Sequence, residues 1–466
     1  MQECDVDQCQ GLILILQSNI MSKRTSVFQR ILQAPTLAAT LACLLLSAHF
    51  LRLGQPGLTT AWAGMAALAL SPWAFVRPVL CLALAAGALV WIDTGINLLQ
   101  FRLAAGLDWL RMAAILGGMS LFTLGSAVLM VRRAGQGAYP FWEERAAPMA
   151  AAFLLTAGLL GIVQAMAPLP LLLAERYLPG WGHAEIFLLS LYAAWICGLL
   201  LDPHKSPRVR PRIWLFFSVA FFLQLVLGLA GLERMLMTGK LHLPVPALIA
   251  AGPIYRGGGF FMAILFGVSA LLAGPAWCSH LCYIGAWDDQ ASRRSGRRPK
   301  PMTRTAWAVR AAIAAFAFLA AWLMRQLGVP VGVAVWSAAA FGLAGVGVML
   351  LLSRRRGSMV HCTTYCPMGL AANLLGKLSP WRLRIDKDCG HCGKCAAACR
   401  YGALDGSAFT RGKPGLSCSL CGDCLPRCPH GFIRYSFPGV SSTTARAAFL
   451  VAMSVLHATF LGVARM

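Results

Sequence analysis

Long runs of apolar residues, separated by short polar or basic stretches, fill most of the chain before residue 353. A helix needs about 20 mainly apolar residues to cross the hydrocarbon core of a bilayer, and most of these runs meet that length. The second and third runs are separated only by Ser71-Pro72 and Arg77-Pro78. The pattern predicts a mainly α fold, a polytopic transmembrane helical bundle of about eleven spans. The predicted spans lie near residues 35–53, 59–75, 78–98, 110–131, 149–173, 184–201, 213–232, 258–276, 306–324, 331–352 and 446–463.

The pattern changes over residues 382–437, where eight cysteines fall in two runs of equal spacing. The runs read Cys389-x2-Cys392-x2-Cys395-x3-Cys399 and Cys418-x2-Cys421-x2-Cys424-x3-Cys428-Pro429. This is the spacing of a two-cluster bacterial ferredoxin, in which the fourth cysteine of each run ligates the cluster of the other. It predicts a small α+β domain with two [4Fe-4S] clusters, one on Cys389, Cys392, Cys395 and Cys428 and one on Cys418, Cys421, Cys424 and Cys399. A pair of zinc sites is disfavoured, because zinc requires no exchanged fourth cysteine.

Composition and charge agree with a membrane protein rather than a nucleic-acid-binding one. Hydrophobic residues make up 58% of the 466 residues and charged residues 12%, against about a quarter charged in soluble domains. The net charge of +24 comes from basic residues in alternate loops, as in residues 205–212 and 293–304. This positive-inside pattern predicts a bacterial inner (cytoplasmic) membrane protein with a cytoplasmic N-terminal tail and ferredoxin domain. No nucleic-acid partner is expected.

A second pair of cysteine motifs lies at the predicted cytoplasmic ends of the eighth and tenth spans. Cys278-x3-Cys282-x2-Gly285 and Cys362-x3-Cys366-x2-Gly369 share one pattern at a constant offset in the chain. The repeat suggests that two helical hairpins bring four thiols together, since residues four apart share a helix face. Cys278, Cys282, Cys362 and Cys366 are then expected to form either a third metal centre or two redox-active thiol pairs.

These features together resemble a known family. Membrane helices, two C-x3-C motifs and a two-cluster ferredoxin domain look like the NapH and C-terminal NosR type of polytopic [4Fe-4S] protein, to which the copper-oxidase assembly protein CcoG is related. The resemblance covers about residues 150–437 and implies that the membrane part exchanges electrons with quinol. Tyr283 stands where the family has a proline after the first pair, and Arg400 stands where the second run has Pro429.

The resulting division of the chain has five parts. They are an N-terminal cytoplasmic tail (1–34), an extra membrane module without an assigned role (35–135), a NapH-like membrane core (147–381), the ferredoxin domain (382–437) and a C-terminal transmembrane helix (446–463). The predicted function is electron transfer between the quinone pool and an unidentified redox partner, as a component of a quinol dehydrogenase rather than a stand-alone enzyme. The alternatives are a copper reductase or metalloenzyme assembly factor that uses the C-x3-C sites, and, with less support, a transporter.

A quinone pocket needs a polar group within hydrogen-bond reach. The pairs His183 with Glu185 and Asp202 with His204 are candidates, although the pattern favours an ordinary interfacial role at a helix end for each of them. The segment 241–246, with Pro244 and Pro246, predicts a mobile or re-entrant outer loop that either covers such a pocket or is a plain connector.

Overall fold

The computed structural model describes residues 33–132, 139, 141–236 and 243–463. The predicted tail and the start of the segment 241–246 therefore lie mostly outside the described residues. Ten described helical stretches are long and apolar enough to cross a membrane. They are Ala34–Arg52, Val76–Ala104, Leu110–Val131, Glu143–Met166, Gly182–Leu201, Ser206–Leu229, Phe261–His280, Arg304–Gln326, Val331–Arg356 and Ser442–Val463.

The α-helices follow in chain order, interrupted by short 3₁₀ and π turns. They are α1 Ala34–Arg52, α2 Pro56–Ala69, α3 Val76–Ala104, α4 Leu110–Val131, α5 Ala146–Met166, α6 Leu173–Tyr177, α7 Gly182–Leu201, α8 Ser206–Leu229, α9 Leu248–Arg256, α10 Phe261–Ala273, α11 Trp277–His280, α12 Tyr283–Arg293, α13 Arg304–Gln326, α14 Val331–Val348, α15 Arg354–Arg356, α16 Pro367–Leu375, α17 Gly406–Thr410 and α18 Ser442–Val463. Met349–Ser353 and His361–Tyr365 are π-helical. Two strands, β1 Arg382–Ile385 and β2 Ile433–Ser436, form the only sheet among the described residues.

The chain divides into two compact units, of which the first holds residues up to 166 together with 174–191. The predicted second span is here the helix α2 of 14 residues, about 21 Å long at 1.5 Å per residue. Each of its two ends is held by a hydrogen bond to another segment of this unit. Gly57 donates a backbone hydrogen bond to Gly180, whereas Tyr139 donates one from its hydroxyl to the carbonyl of Ala69. In the part of the chain that the structure describes, ten helices therefore have spanning length, against about eleven expected, and α2 falls short of it.

The second unit holds residues 167–173 and 192–466 and contains every cysteine motif. Its segment 243–256 runs beside α14, the arrangement expected of a re-entrant loop. The tip, residues 244–247, lies against α14, where a side chain added at Gly342 would meet Val245 at 2.6 Å. The helix α9 then runs back until the hydroxyl of Tyr255 donates to the carbonyl of Val329, just before α14 begins. Irregular backbone at membrane depth is tolerated where it is enclosed by protein or lines a cavity.

The ferredoxin segment forms a compact core on its antiparallel strand pair. Leu383 pairs with Tyr435, and Ile385 pairs with Ile433, which places alternate apolar side chains on one face. That face packs against Phe449 of α18. The helix α18 is itself fixed by Arg446, which donates to the carbonyls of Leu200 and Leu201. The cysteine loops are thus carried on a sheet packed against a long apolar helix.

Candidate metal centres

Four cysteines from both ferredoxin runs line one wide cavity. We call Cys389, Cys392, Cys395 and Cys428 the first ferredoxin group; they surround a cavity of about 350 Å³ together with Phe409, Phe432 and Ile433. Cys392 is exposed, whereas Cys395 is buried. The structure thus brings together the set that crossed ligation predicts.

The other four cysteines of the runs lie deeper. We call Cys399, Cys418, Cys421 and Cys424 the second ferredoxin group, whose thiols lie close enough to interact electrostatically. Burial is the main cause that raises the pKa of Cys421, to about 12. Thiols this hard to ionise become ligands when a metal supplies the positive charge. Cys424 also interacts with Cys395, so the two ferredoxin groups are neighbours.

The two runs have the same local backbone conformation as well as the same spacing. His391 and Leu420, each just before the second cysteine of its run, have left-handed φ angles of 50° and 56°. Gly393 and Gly422, each just after that cysteine, have φ angles of 71° and 78°. A non-glycine residue in this region costs about 1–3 kcal/mol and is retained where the surroundings impose it, often at functional sites. The cysteine loops therefore hold a strained conformation that fits ligand loops.

The four cysteines of the repeated motifs also meet. We call Cys278, Cys282, Cys362 and Cys366 the C-x3-C group; all four are buried and line one small cavity with Trp277 and Met368. All four are free thiols in the structure, and no disulfide joins them. Among the described residues, no three His, Cys, Asp or Glu side chains are close enough to hold a single metal ion.

The two C-x3-C motifs fold alike, which explains their common glycine. Cys282 and Cys366 have nearly equal backbone angles, with φ at −76° in both and ψ at 113° and 119°, and each directly precedes a helix. Backbone N–H groups of the first helical turn point at each thiol, including those of Gly285 and Gly369. A β-carbon on Gly285 would lie 3.0 Å from the carbonyl oxygen of Cys278, and one on Gly369 would lie 2.6 Å from that of Cys362. Because glycine has no side chain, the first turn of each helix can pack against the backbone carbonyl of the first cysteine in the same motif.

Arg310 gives the C-x3-C group a buried positive charge. This residue of α13 is 1% exposed, interacts electrostatically with Cys278, Cys362 and Cys366, and donates from Nη2 to the carbonyl of Cys362 at 3.2 Å. Its Nε and Nη1 have no hydrogen-bond partner among the described residues. A buried cation is normally paired, and a cluster bound by four thiolates is an anion. The unsatisfied guanidinium therefore fits an iron–sulfur cluster in this cavity better than four neutral thiols.

A buried network of charged groups joins the C-x3-C group to the second ferredoxin group. Arg210 of α8 donates to both carboxylate oxygens of Asp423, at 3.0 and 2.8 Å, and to the carbonyl of Ser279 at 2.8 Å. Arg293 donates to Asp423 at 2.7 Å and to Asp289 at 2.6 Å. Burial alone would raise the pKa of Asp423, but the two guanidinium groups outweigh it and lower that pKa overall. Ser279 belongs to the C-x3-C motif that begins at Cys278, and Asp423 lies between Cys421 and Cys424 of the second ferredoxin group. The network therefore connects the two cysteine groups.

Two residues next to Cys399 complete this junction. The hydroxyl of Tyr401 donates to the carbonyl of Cys278 at 3.1 Å. Arg400, which replaces the proline of the second run, donates to the carbonyls of Ser292 and Gly357 at 2.8 and 3.1 Å. The departure from proline thus adds an anchor to the membrane core and removes no ligand.

Sequence reasoning missed Arg210, Arg310 and Asp423. Arg210 was grouped with a basic cytoplasmic loop, but this is wrong: the helix α8 begins at Ser206, and Arg210 is 2% exposed. The sequence offered a signal only for Arg310, an arginine between apolar residues of a membrane-length helix; Arg210 lies among the neighbouring basic residues Arg208 and Arg212, which concealed it.

The earlier polar candidates have structural roles. Asp202 accepts the backbone N–H groups of His204 and Lys205, and Glu185 accepts that of Ala174 at 2.6 Å. These contacts are typical of helix ends, as the alternative interpretation held.

Comparison with known proteins locates the same region. A family model described as a 4Fe-4S binding domain matches residues 257–301 and 338–386. The matched segments contain all four cysteines of the C-x3-C group and end before Cys389. No curated protein matches the chain, and no solved structure matches it either. The chain is thus an iron–sulfur protein of ferredoxin-like kind, and its described residues include ten helices of membrane-spanning length.

Proposed function

We propose that the protein carries electrons between the membrane quinone pool and a partner redox protein through a series of iron–sulfur centres. In this proposal the C-x3-C group holds one centre, the second ferredoxin group the next, and the first ferredoxin group the last. Bound clusters would supply one-electron transfer. The protein residues hold the clusters, exclude water from the two buried ones and fix their order.

The observation that carries the proposal is the contact between successive cysteine groups. Tyr401 joins the loop of Cys399 to the carbonyl of Cys278, and Cys424 interacts with Cys395. Exposure increases along the same series, from the buried C-x3-C group to the exposed Cys392. Such an order suits a path from an enclosed membrane site to a soluble partner.

The orientation of the protein in the membrane is part of the same proposal. The basic loops support a bacterial inner membrane location with the ferredoxin domain in the cytoplasm. Three consecutive arginines, Arg354, Arg355 and Arg356, end the span that leads to Cys362. The copper-reductase alternative gains no support from a C-x3-C group whose thiols are all buried, because an exchanged metal needs access.

The number of clusters can be tested by measuring iron and acid-labile sulfide in anaerobically purified protein. Three centres predict about twelve irons per chain and two predict about eight, at four per cubane. We expect about twelve, falling by about four in Cys282→Ser and Cys366→Ser. Cys81→Ser, which changes a cysteine within α3, is the matched control and should keep the full content. About eight irons in the unchanged protein would remove the third centre.

Electron exchange is tested in lipid nanodiscs with a short-chain quinol. We expect the quinol to bleach the visible absorbance of the oxidised clusters, or a quinone to restore that of the reduced clusters, and a quinone-site inhibitor to block either reaction. Clusters that dithionite reduces, but that exchange electrons with neither quinol nor quinone, would overturn the proposal.

A further inference from the structure

A second cavity shares a wall with the cavity of the C-x3-C group. It lies between α14 and the re-entrant tip, and the two cavities have Pro246, Ile284, His361 and Cys366 in common. Its remaining walls are mainly apolar, from the tip, α14 and the start of α16. A ligand here would thus touch the side chain of a cysteine in the C-x3-C group.

The cavity runs from a half-exposed rim to a buried floor. Phe341, Val346 and Val245 at the rim are half-buried, whereas Met349 and His361 at the floor are 2% and 6% exposed. Neighbouring side chains of α14 that face away from it, such as Leu343 at 72%, are strongly exposed. Since α14 is a membrane-length helix, that exposed surface faces lipid. The rim therefore gives an apolar molecule a route from the bilayer to the floor.

The depth of the cavity in the membrane suits the ring of a lipid-soluble ligand. Val346 lies eight residues before Arg354 along the same helical span, which is roughly 12 Å at 1.5 Å per residue. The three arginines mark where that span reaches the polar head groups. The rim at Val346 is thus expected to lie within the hydrocarbon but close to its edge.

The floor holds one polar side chain without a normal hydrogen bond. Both ring nitrogens of His361 are buried and make no hydrogen bond of ordinary geometry to a described residue; the ring lies against Gly345 and interacts with its backbone without reaching that geometry. The hydroxyl of Tyr365 is already used, since it donates to the carbonyl of Phe341 at 2.7 Å, while the rings of the two residues stack at 4.8 Å. An unsatisfied buried donor calls for a ligand acceptor. His361 also lies in a π-helical turn, a feature frequent at functional sites.

From these observations we propose that this cavity, floored by His361 and Cys366 and roofed by the re-entrant tip, binds the head group of a prenyl quinone. One quinone oxygen accepts a hydrogen bond from the His361 imidazole, the ring lies against Phe341 and Tyr365, and the tail leaves past Val346 into lipid. The proposal rests on the proposed electron-transfer function and adds where the quinone binds. An apolar ring with an acceptor at one end matches a mainly apolar site with one donor.

The test uses the full-length, cluster-loaded protein in nanodiscs. The probe is the fluorescent quinone analogue 2-heptyl-4-hydroxyquinoline N-oxide, whose emission is quenched on binding. Val346→Trp fills the rim, and we expect it to weaken binding at least about tenfold and to slow quinol-driven bleaching. Leu343→Trp places the same ring on the lipid face of the same helix and should bind as the unchanged protein does. His361→Leu removes the donor and is expected to weaken binding about five- to tenfold, the cost of one hydrogen bond.

The outcomes separate this site from the broader function. If Val346→Trp binds the probe as tightly as Leu343→Trp while quinol still bleaches the clusters, the quinone binds elsewhere and the cavity assignment fails alone. If quinol bleaches nothing even in the unchanged protein, the proposed function fails. A photoreactive azidoquinone on the unchanged protein needs no variant: label within residues 341–349 or 361–367 supports the site, and label confined to other segments overturns it.

Discussion

The guanidinium of Arg210 and the carboxylate of Asp423 form a buried two-point hydrogen-bonded ion pair, although 213 residues separate them in the chain. One partner belongs to an apolar helix and the other to a cysteine loop of the ferredoxin segment. The same guanidinium reaches the carbonyl of Ser279 within a C-x3-C motif. A single side chain thus fixes two cysteine groups with respect to each other, and breaking that contact should disturb both.

Replacing Arg210 by methionine should be strongly destabilising. The change removes one of the two guanidinium groups that pair with the buried carboxylate of Asp423 and leaves Arg293 as its remaining cation. Breaking a buried pair costs about 3–5 kcal/mol when the remaining charge is left unpaired, so the cost here is expected to lie toward the lower end of that range. We expect a lower unfolding temperature in detergent and loss of the cluster signal of the second ferredoxin group. Arg212→Met, which removes an exposed arginine of the same helix, should change neither. Equal stability of the two variants would show that the ion pair contributes little.

Gly369→Ala should disrupt the C-x3-C group while sparing the ferredoxin segment. The new methyl group would lie 2.6 Å from the carbonyl oxygen of Cys362, so the start of α16 and Cys366 must move, at a cost of about 1–3 kcal/mol. The iron content is expected to fall by about four per chain, one cubane. Gly347→Ala is the matched control, because nothing lies within 4 Å of a β-carbon there. Full iron content in Gly369→Ala would contradict this account of the motif.

Arg310→Met should lower the reduction potential of the centre held by the C-x3-C group. Adding an electron makes a cluster more negative, so removing a nearby buried cation disfavours the reduced state. The shift is expected to be on the order of 60 mV, which is about 1.4 kcal/mol for one electron. A redox titration followed by electron paramagnetic resonance measures it. Arg304→Met, at the exposed start of the same helix, should leave the potential unchanged, and an upward shift in Arg310→Met would refute the pairing.

Arg400→Met tests the junction from the ferredoxin side. The guanidinium donates to two backbone carbonyls, those of Ser292 and Gly357, and hydrogen bonds from a charged group contribute about 1.5–3 kcal/mol. Thermal unfolding is expected at a lower temperature, with the iron content of the folded protein unchanged. The exposed Arg427, just before Cys428, provides the control Arg427→Met. Loss of iron without loss of stability would mean that Arg400 supports a ligand instead of the junction.

Local spacing determined which cysteines belong together within each motif. The C-x2-C-x2-C runs and the C-x3-C pairs are short enough for backbone geometry alone to bring their sulfurs onto one side. For the same reason the membrane helices, long and uniformly apolar, were visible as a pattern. The exception was α2, which ends after 14 residues at Ala69; its length depends on contacts with its neighbours that no periodicity records.

The sequence by itself determined the features that depend on residues close together in the chain. These are the spacing of the thiols, the length of the apolar segments and the alternation of basic loops. Only the tertiary structure paired Arg210 with Asp423, left Arg310 facing three thiols, and folded residues 244–247 back beside His361. These contacts join residues far apart in the chain, and a single arginine or histidine carries no spacing from which its partner can be read. In a membrane such groups are stable only when enclosed by protein, so packing alone selects their partners.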